Sequence, residues 1–223
     1  MAVPALLYYI TDRTAFSGDD AARRRRLLEK IAEAAGAGVD YIQLREKSMS
    51  ARELEILARE AVSAIQESRI ASSLLITALL INSRTDVAMA VAADGVHLRS
   101  NDISPQDVKA IWKRGTGTAA RKLPLIGVSC HSPDEVARAA ANGANFAVFA
   151  PVFEKKDTHG NEAPGAGLEQ LKNACKARIP VLALGGVNLA NARSCLEAGA
   201  AGIAGIRLFQ ENDVAQVVSR LRA

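Results

Sequence analysis

One cadence recurs along this chain: a helical segment, a Gly/Ala turn, then a short apolar strand. It is written first as Ala35-Gly36-Ala37-Gly38-Val39-Asp40-Tyr41-Ile42 and next as Val91-Ala92-Ala93-Asp94-Gly95-Val96-His97-Leu98. The third copy is Ala141-Asn142-Gly143-Ala144-Asn145-Phe146-Ala147-Val148-Phe149. The fourth is Glu197-Ala198-Gly199-Ala200-Ala201-Gly202-Ile203-Ala204-Gly205-Ile206. Glycine suits a helix C-terminus because it enters the left-handed conformation at little cost. The copies lie about 50 residues apart, which leaves room for two helix–strand units each. Four further apolar runs fall between them, at 6–10, 79–82, 125–129 and 180–184, continuous as strands buried on both faces should be. Helical patterns fill the gaps at 19–36, 50–69, 84–92, 105–114, 132–142, 167–177, 188–198 and 212–222. Eight strands alternating with eight helices, with no linker, predict a single α/β domain over residues 1–223, a (β/α)8 TIM barrel. A doubly wound open sheet is the competing fold. It usually carries a glycine fingerprint after its first strand, whereas here that strand runs into Thr11-Asp12-Arg13.

Composition narrows the function classes. The chain is 49% hydrophobic and 23% charged over 223 residues, enough for one large core. Part of its net charge of +4 is the run Arg23-Arg24-Arg25-Arg26, backed by Leu27, Leu28 and Ile31 in a helical pattern. That is a solvated helix face, and 4% aromatic residues leave little for base stacking, so no nucleic-acid partner is expected. Cys130, Cys175 and Cys195 are widely spaced with no CxxC pair, which argues against a zinc site or a disulfide framework and for a reducing, cytoplasmic setting. The apolar run at 5–10 is too short for a secretory signal, and no run approaches the roughly 20 residues that span a bilayer, so no membrane partner is expected either.

In a barrel the loops after the strands share one face, and that face is where ligands bind. Tyr41-Ile42-Gln43-Leu44-Arg45-Glu46-Lys47 places two cations, Arg45 and Lys47, at such a strand end. Fixed cations there suit a phosphate or diphosphate. Asn82 and Ser83 follow the third strand, and Asp102 lies after the fourth. A carboxylate beside a diphosphate suits Mg2+, while a helix-capping role before Ser104-Pro105 is equally open. Gly185-Gly186 follows the seventh strand and Ile206-Arg207 the eighth, where barrels commonly bind phosphate through backbone N–H groups. Two anion stations on one rim imply two phosphorylated substrates, or one with two ends. Ser129 and His131 follow the fifth strand, His131 just ahead of an N-cap at Ser132 with Pro133 and Glu135 behind it. General acid–base work and a plain polar loop residue are both open for His131. Cys130 is assigned to packing and His97 to a structural role, while Lys155, Lys156, Thr158 and His159 lie in a loop able to reach substrate.

The chain resembles the thiamine phosphate synthase family and its relatives, the thiazole tautomerases, over nearly its whole length. The carriers are Tyr9-Ile10-Thr11-Asp12, the segment from Tyr41 to Lys47, Ile81-Asn82, Ala93-Asp94-Gly95-Val96-His97-Leu98, Gly127-Val128-Ser129-Cys130-His131, Pro151-Val152-Phe153 and Ala183-Leu184-Gly185-Gly186-Val187. The resemblance implies a barrel in which hydroxymethylpyrimidine diphosphate loses pyrophosphate and is trapped by the nitrogen of thiazole phosphate. It implies that Gln43, Arg45, Lys47 and Asn82 hold the diphosphate, and that Asp102 ligates Mg2+. Gly185, Gly186, Ile206 and Arg207 would then take the thiazole phosphate. Catalytic roles fall to His131, Lys156 and Ser129, with a homodimer left open. Three departures stand out. Ser83 replaces the Asp expected after the third-strand Asn, Glu154-Lys155-Lys156-Asp157 replaces a Thr-x-Thr-Lys element, and Arg207 replaces a small residue. Ser83 and the 154–166 loop look more like the tautomerases, in which a His matching His131 moves a proton without metal. A non-catalytic thiamine phosphate binder is a third reading.

Overall fold

Each barrel strand is largely apolar on both sides because each is covered twice, by helices outside and by the other strands' inward side chains. The computed structural model describes residues 4–71, 76–115, 123–156 and 162–222. Its strands are β1 (Leu6–Ile10), β2 (Tyr41–Leu44), β3 (Ala78–Asn82), β4 (Gly95–Leu98), β5 (Leu125–Cys130), β6 (Phe146–Phe149), β7 (Lys155–Lys156), β8 (Glu162–Ala163), β9 (Val181–Ala183) and β10 (Gly202–Gly205). The helices are α1 (Asp20–Gly36), α2 (Ala51–Ala71), α3 (Thr85–Ala90), α4 (Pro105–Gly115), α5 (Pro133–Ala141), α6 (Gly167–Ala174), α7 (Ala192–Glu197), α8 (Arg207–Gln210) and α9 (Val214–Arg222). Eight parallel strands close in the order β1-β10-β9-β6-β5-β4-β3-β2, the predicted (β/α)8 barrel.

The register states which side chains face inward. Ile10 pairs with Gln43, Gln43 with Leu80, and Leu80 with Gly95. Asn82 pairs with His97, His97 with Gly127, and Gly127 with Phe146. Ser129 pairs with Val148, Val148 with Leu182, Leu182 with Gly202, and Gly202 with Leu6. Paired residues in a parallel sheet share a face, so one inward set runs around the barrel. It carries an aromatic plug. Tyr41 and Phe146 stack at 5.0 Å with planes 9° apart, and Tyr8 sets its edge against both. Gly127 makes the room, since a Cβ there would lie 2.4 Å from Phe146 Cζ. The opposite set, including Leu7, Tyr9, Ile42 and Leu44, packs under the helices in a separate cluster.

Three of the four cadence glycines, Gly38, Gly143 and Gly199, have positive φ as expected. In the second copy the left-handed residue is Ala92 (φ 56°), and Gly95 lies inside β4 instead. An alanine held there is strained, and Ala92 is exposed. Ala92→Gly should therefore stabilise the fold by roughly 0.5–1 kcal/mol and raise Tm by about 1–4 °C in a calorimetric scan. A fall in Tm would contradict the assignment.

Other differences from the sequence expectation have local causes. The pattern at 188–198 contracts to α7 because Asn188 and Asn191 hydrogen-bond each other's turn (Asn188 N to Asn191 Oδ1, 2.8 Å; Asn191 N to Asn188 Oδ1, 3.2 Å), which competes with helix. The pattern at 84–92 shortens to α3 at the left-handed Ala92, and that at 167–177 to α6. The short α8 and the antiparallel β7–β8 hairpin are additions. The arginine run lies on α1, each guanidinium held locally: Arg23 on Phe16 O, Arg24 on Glu60, Arg25 on Glu29 and Arg26 on Ser17. Among the described residues no helix is long and apolar enough to cross a membrane.

Candidate active site

The inward set brings Gln43, Asn82, Ser129 and Ile206 to the carboxyl ends of their strands, and Arg45 and His131 continue the same alternation beyond β2 and β5. Gln43 is 2% exposed and donates Nε2–H to Asn82 Oδ1 at 2.7 Å. Its own Oε1 is buried with no partner among the described residues. Asn82 Nδ2 reaches Ser83 Oγ at 3.3 Å, and Ser83 Oγ donates to Asp102 Oδ2 at 2.6 Å. Ser83 has φ 56°, a conformation non-glycine residues seldom adopt, and its N–H is held on His97 O at 2.9 Å. Such strain concentrates at functional sites.

Arg45 and its neighbour Glu46 separate completely. Glu46 folds back under the rim, is 8% exposed, and accepts from Thr11 Oγ1 (2.7 Å) and from the Arg13 N–H (3.1 Å). Thr11 Oγ1 in turn accepts the Arg45 N–H at 2.9 Å. Burial raises the Glu46 carboxyl, while the Thr11 and Arg13 bonds act against it. Nothing in the sequence marks this brace sewing β2 to β1, where Glu46 is one of three charges in a row. Arg45 is half-buried, and no carboxylate among the described residues pairs with it. Desolvation lowers its pKa, with Asp12 and Glu46 at longer range opposing. A cation left in this condition is satisfied by an anion from outside. Lys47 is exposed at the outer edge of the same turn.

Asp102 presents the other sign. Its oxygens take four hydrogen bonds: Ser83 Oγ and the Arg99 N–H on Oδ2, Arg99 Nε and Nη2 on Oδ1. Burial would raise its carboxyl, but Ser83 and Arg99 outweigh that and hold it below the ordinary range. No cluster of three His, Cys, Asp or Glu able to hold a metal exists among the described residues. A single carboxylate already forked by a guanidinium, beside a hydroxyl, does not fit a divalent cation as arranged.

His97 is 1% exposed, and burial pushes its pKa down to about 3, so the ring is neutral. It bridges Tyr8 Oη (3.1 Å from Nδ1) and Ser129 Oγ (2.8 Å from Nε2). His131 stands exposed on the rim. Its Nδ1 lies 2.6 Å from Ala150 O, and its backbone N–H is held by Glu135 Oε2 at 2.6 Å. A carbonyl can only accept, so Nδ1 carries the hydrogen and Nε2 is left as a base. Ser132 caps α5 as expected, accepting from the Glu135 N–H, with Pro133 at the first turn. Cys130 faces outward and buried, its thiol pushed up to about 12, and Cys175 and Cys195 stand at about 11. Iodoacetamide near pH 8 should alkylate these thiols far more slowly than a free cysteine of pKa about 8.5, with activity unchanged. Rapid inactivation would reinstate a cysteine in the chemistry.

Across the mouth, Gly185 and Gly186 have φ 91° and 67° in succession. Their carbonyls are spent, Gly185 O on the Phe153 N–H (3.0 Å) and Gly186 O on Asn191 Nδ2 (3.0 Å). Their own N–H groups meet no acceptor among the described residues. A Cβ on Gly185 would lie 2.6 Å from Pro151 Cα, and one on Gly186 2.7 Å from Phe153 Cβ. Ile206, half-buried, heads α8, whose Leu208 and Phe209 are buried while Arg207 is exposed. Lys156 stands on β7, opposite Glu162 in register. Thr158 and His159 lie outside the described residues.

Residues 7–209 match the family model described as thiamine monophosphate synthase. A thiamine-phosphate synthase of Methanoculleus marisnigri is 37% identical over 220 residues, covering 97% of this chain and 93% of that protein. One of Clostridium novyi is 34% identical over 225 residues, covering 97% and 96%. The solved thiamine phosphate pyrophosphorylase from Pyrococcus furiosus superposes with a TM-score of 0.75 at 31% identity, over 98% of this chain and 94% of that one.

Proposed function

Because the chain belongs to the thiamine monophosphate synthase family, we propose that it joins hydroxymethylpyrimidine diphosphate to thiazole phosphate, releasing pyrophosphate. One observation supports this most: Arg45, half-buried and paired with no carboxylate among the described residues, stands beside Gln43–Asn82, and across the barrel mouth lie the Gly185 and Gly186 amides, which meet no acceptor among those residues. That is one station for a diphosphate and one for a monophosphate. In the reaction the methylene C–O bond breaks, its electrons leave on pyrophosphate, and the thiazole nitrogen lone pair forms the new C–N bond. Such a step needs the leaving charge neutralised and the partners aligned. Arg45 and Lys47 supply positive charge at the diphosphate. The Gln43 Oε1 left without a partner offers an acceptor to an N–H of the pyrimidine. The Gly185 and Gly186 amides hold the thiazole phosphate, and Arg207 adds charge at the rim. Family membership implies Mg2+ on Asp102. The forked carboxylate and Ser83 do not fit it, so no step is assigned to metal.

His131 favours a second reading, a thiazole tautomerase. Its Nδ1–H is committed to Ala150 O, which leaves Nε2 free to carry a proton between two substrate atoms. The deciding experiment supplies both phosphorylated substrates with Mg2+ from zero upward and looks for thiamine phosphate. No product at any metal level would refute the synthase. Thiazole isomerisation that His131→Ala abolishes and Arg45→Ala spares would establish the tautomerase.

A further inference from the structure

We infer that Tyr8 and His97 form a buried positioning relay that fixes the direction of the Ser129 O–H and aims it into the barrel mouth. The Tyr8 hydroxyl is fully buried among Tyr41 and Phe146, and its one hydrogen-bond partner among the described residues is His97 Nδ1 at 3.1 Å. His97 has one further side-chain partner, Ser129 Oγ at 2.8 Å. Two arrangements satisfy these distances. In the first, Tyr8 O–H donates to Nδ1, the imidazole hydrogen sits on Nε2, and Nε2–H donates to Ser129 Oγ. In the second, Nδ1–H donates to the Tyr8 oxygen and Ser129 O–H donates to Nε2. The second strands the Tyr8 hydrogen in an aromatic box with no acceptor. An orphaned buried donor is the costlier defect, whereas the first arrangement leaves only a spare lone pair on the Tyr8 oxygen. A doubly protonated ring is ruled out by its burial and by the depressed pKa.

The direction of the chain has a consequence at its upper end. Ser129 is the inward residue of β5 nearest the mouth, half-buried, its hydroxyl making no other hydrogen bond among the described residues. Its oxygen receives Nε2–H, so its own hydrogen is spent on no acceptor among the described residues. It is presented as a donor to an acceptor atom of whatever occupies the mouth, polarised by the bonds below it. Resting on the reading proposed above, the recipient is an oxygen of the phosphorylated substrate. Tyr8 and His97 touch no substrate; they act through Ser129.

The relay is tested by two measurements with different failure modes. In long-range 15N correlation spectra of the whole protein, with His97→Gln identifying the signal, His97 should hold the Nε2–H tautomer from about pH 8 to about pH 5. An Nδ1–H tautomer, or an imidazolium in that range, overturns the relay whether or not the protein is a synthase. In turnover assays, Ser129→Ala should lose about 100-fold in kcat and Tyr8→Phe about tenfold. In a Ser129→Ala background, Tyr8→Phe should cost nothing further, since its effect passes through a hydroxyl already gone. His97→Gln, which keeps a donor on its amide, should retain more activity than His97→Leu. If the Tyr8 and Ser129 losses multiply, Tyr8 is merely packing and the relay is wrong. If the tautomer is as stated but thiamine phosphate never forms, the relay stands and the proposed activity falls.

Discussion

Arg45→Ala should lower kcat/KM for the pyrimidine diphosphate about 10²–10³-fold, the range seen when one preorganised charge or donor is removed from a developing anion. KM for thiazole phosphate should move by no more than about twofold, because the station proposed for that substrate's phosphate is across the mouth at Gly185-Gly186. The same variant should melt no earlier than the parent. Arg45 is half-buried, desolvated and paired with no carboxylate among the described residues, so removing it relieves a cost instead of breaking a bridge. Steady-state kinetics with each substrate varied in turn, together with a thermal melt, decide the matter. Loss of rate accompanied by a falling Tm would mean that Arg45 braces the fold and does not serve the ligand. That brace is instead Glu46, whose bonds to Thr11 and Arg13 tie β2 to β1.

Gly185→Ala should carry the largest stability effect. The position has φ 91°, and the added Cβ would lie 2.6 Å from both Pro151 Cα and Pro151 Cβ. The contact is with backbone, so no flexible side chain can swing aside. Left-handed strain of roughly 1–2 kcal/mol adds to an overpacking cost of roughly 1–3 kcal/mol. About 3 kcal/mol in a domain of this size lowers Tm by roughly 6–12 °C. Any relief requires the loop after β9 to move, and that loop's amides form the proposed phosphate station. A folded Gly185→Ala protein should therefore also show a raised KM for thiazole phosphate, with the diphosphate side spared. A variant that melts like the parent would mean that the loop relaxes freely and that its tightness serves nothing.

The residues that were legible in the sequence are those whose placement follows from period and position. Leu6–Ile10 emerges as β1 with its bounds unchanged, and the eight barrel strands fall on the four apolar runs and the four copies of the cadence. Asn82 and Ser129 could be assigned to the rim because each ends an apolar run, and Gln43 because the run that holds it stops at Leu44. Ser132 could be assigned as a cap because Pro133 and Glu135 follow it. Other features had no signal of this kind. Arg99 reads as a loop arginine until its guanidinium is found forking Asp102. Glu46 reads as one of three charges in a row until it turns under the rim. His97 reads in sequence as a structural strand residue, and nothing local shows that Tyr8, 89 residues away, lies beneath it. The inward alternation shared by Tyr8, His97 and Gly127 is a signal that could have suggested it.

Sequence alone determined the barrel, because burying a strand on both faces leaves a continuous apolar run, and turning from helix to strand leaves Gly or Ala at regular intervals. It also determined which residues reach the mouth, since strand ends share a face once the sheet is closed. Only the tertiary structure decided how those residues divide the work. Arg45 continues the inward alternation and pairs with no carboxylate among the described residues, while adjacent Glu46 is spent on the fold. Asp102 is held by Arg99, and Ser129 stands on His97 and Tyr8. The physical reason is that hydrogen-bond partners are chosen by distance in space after closure. Every pair that defines this site except those formed within a single turn joins residues from different strands, which no local pattern of residues encodes.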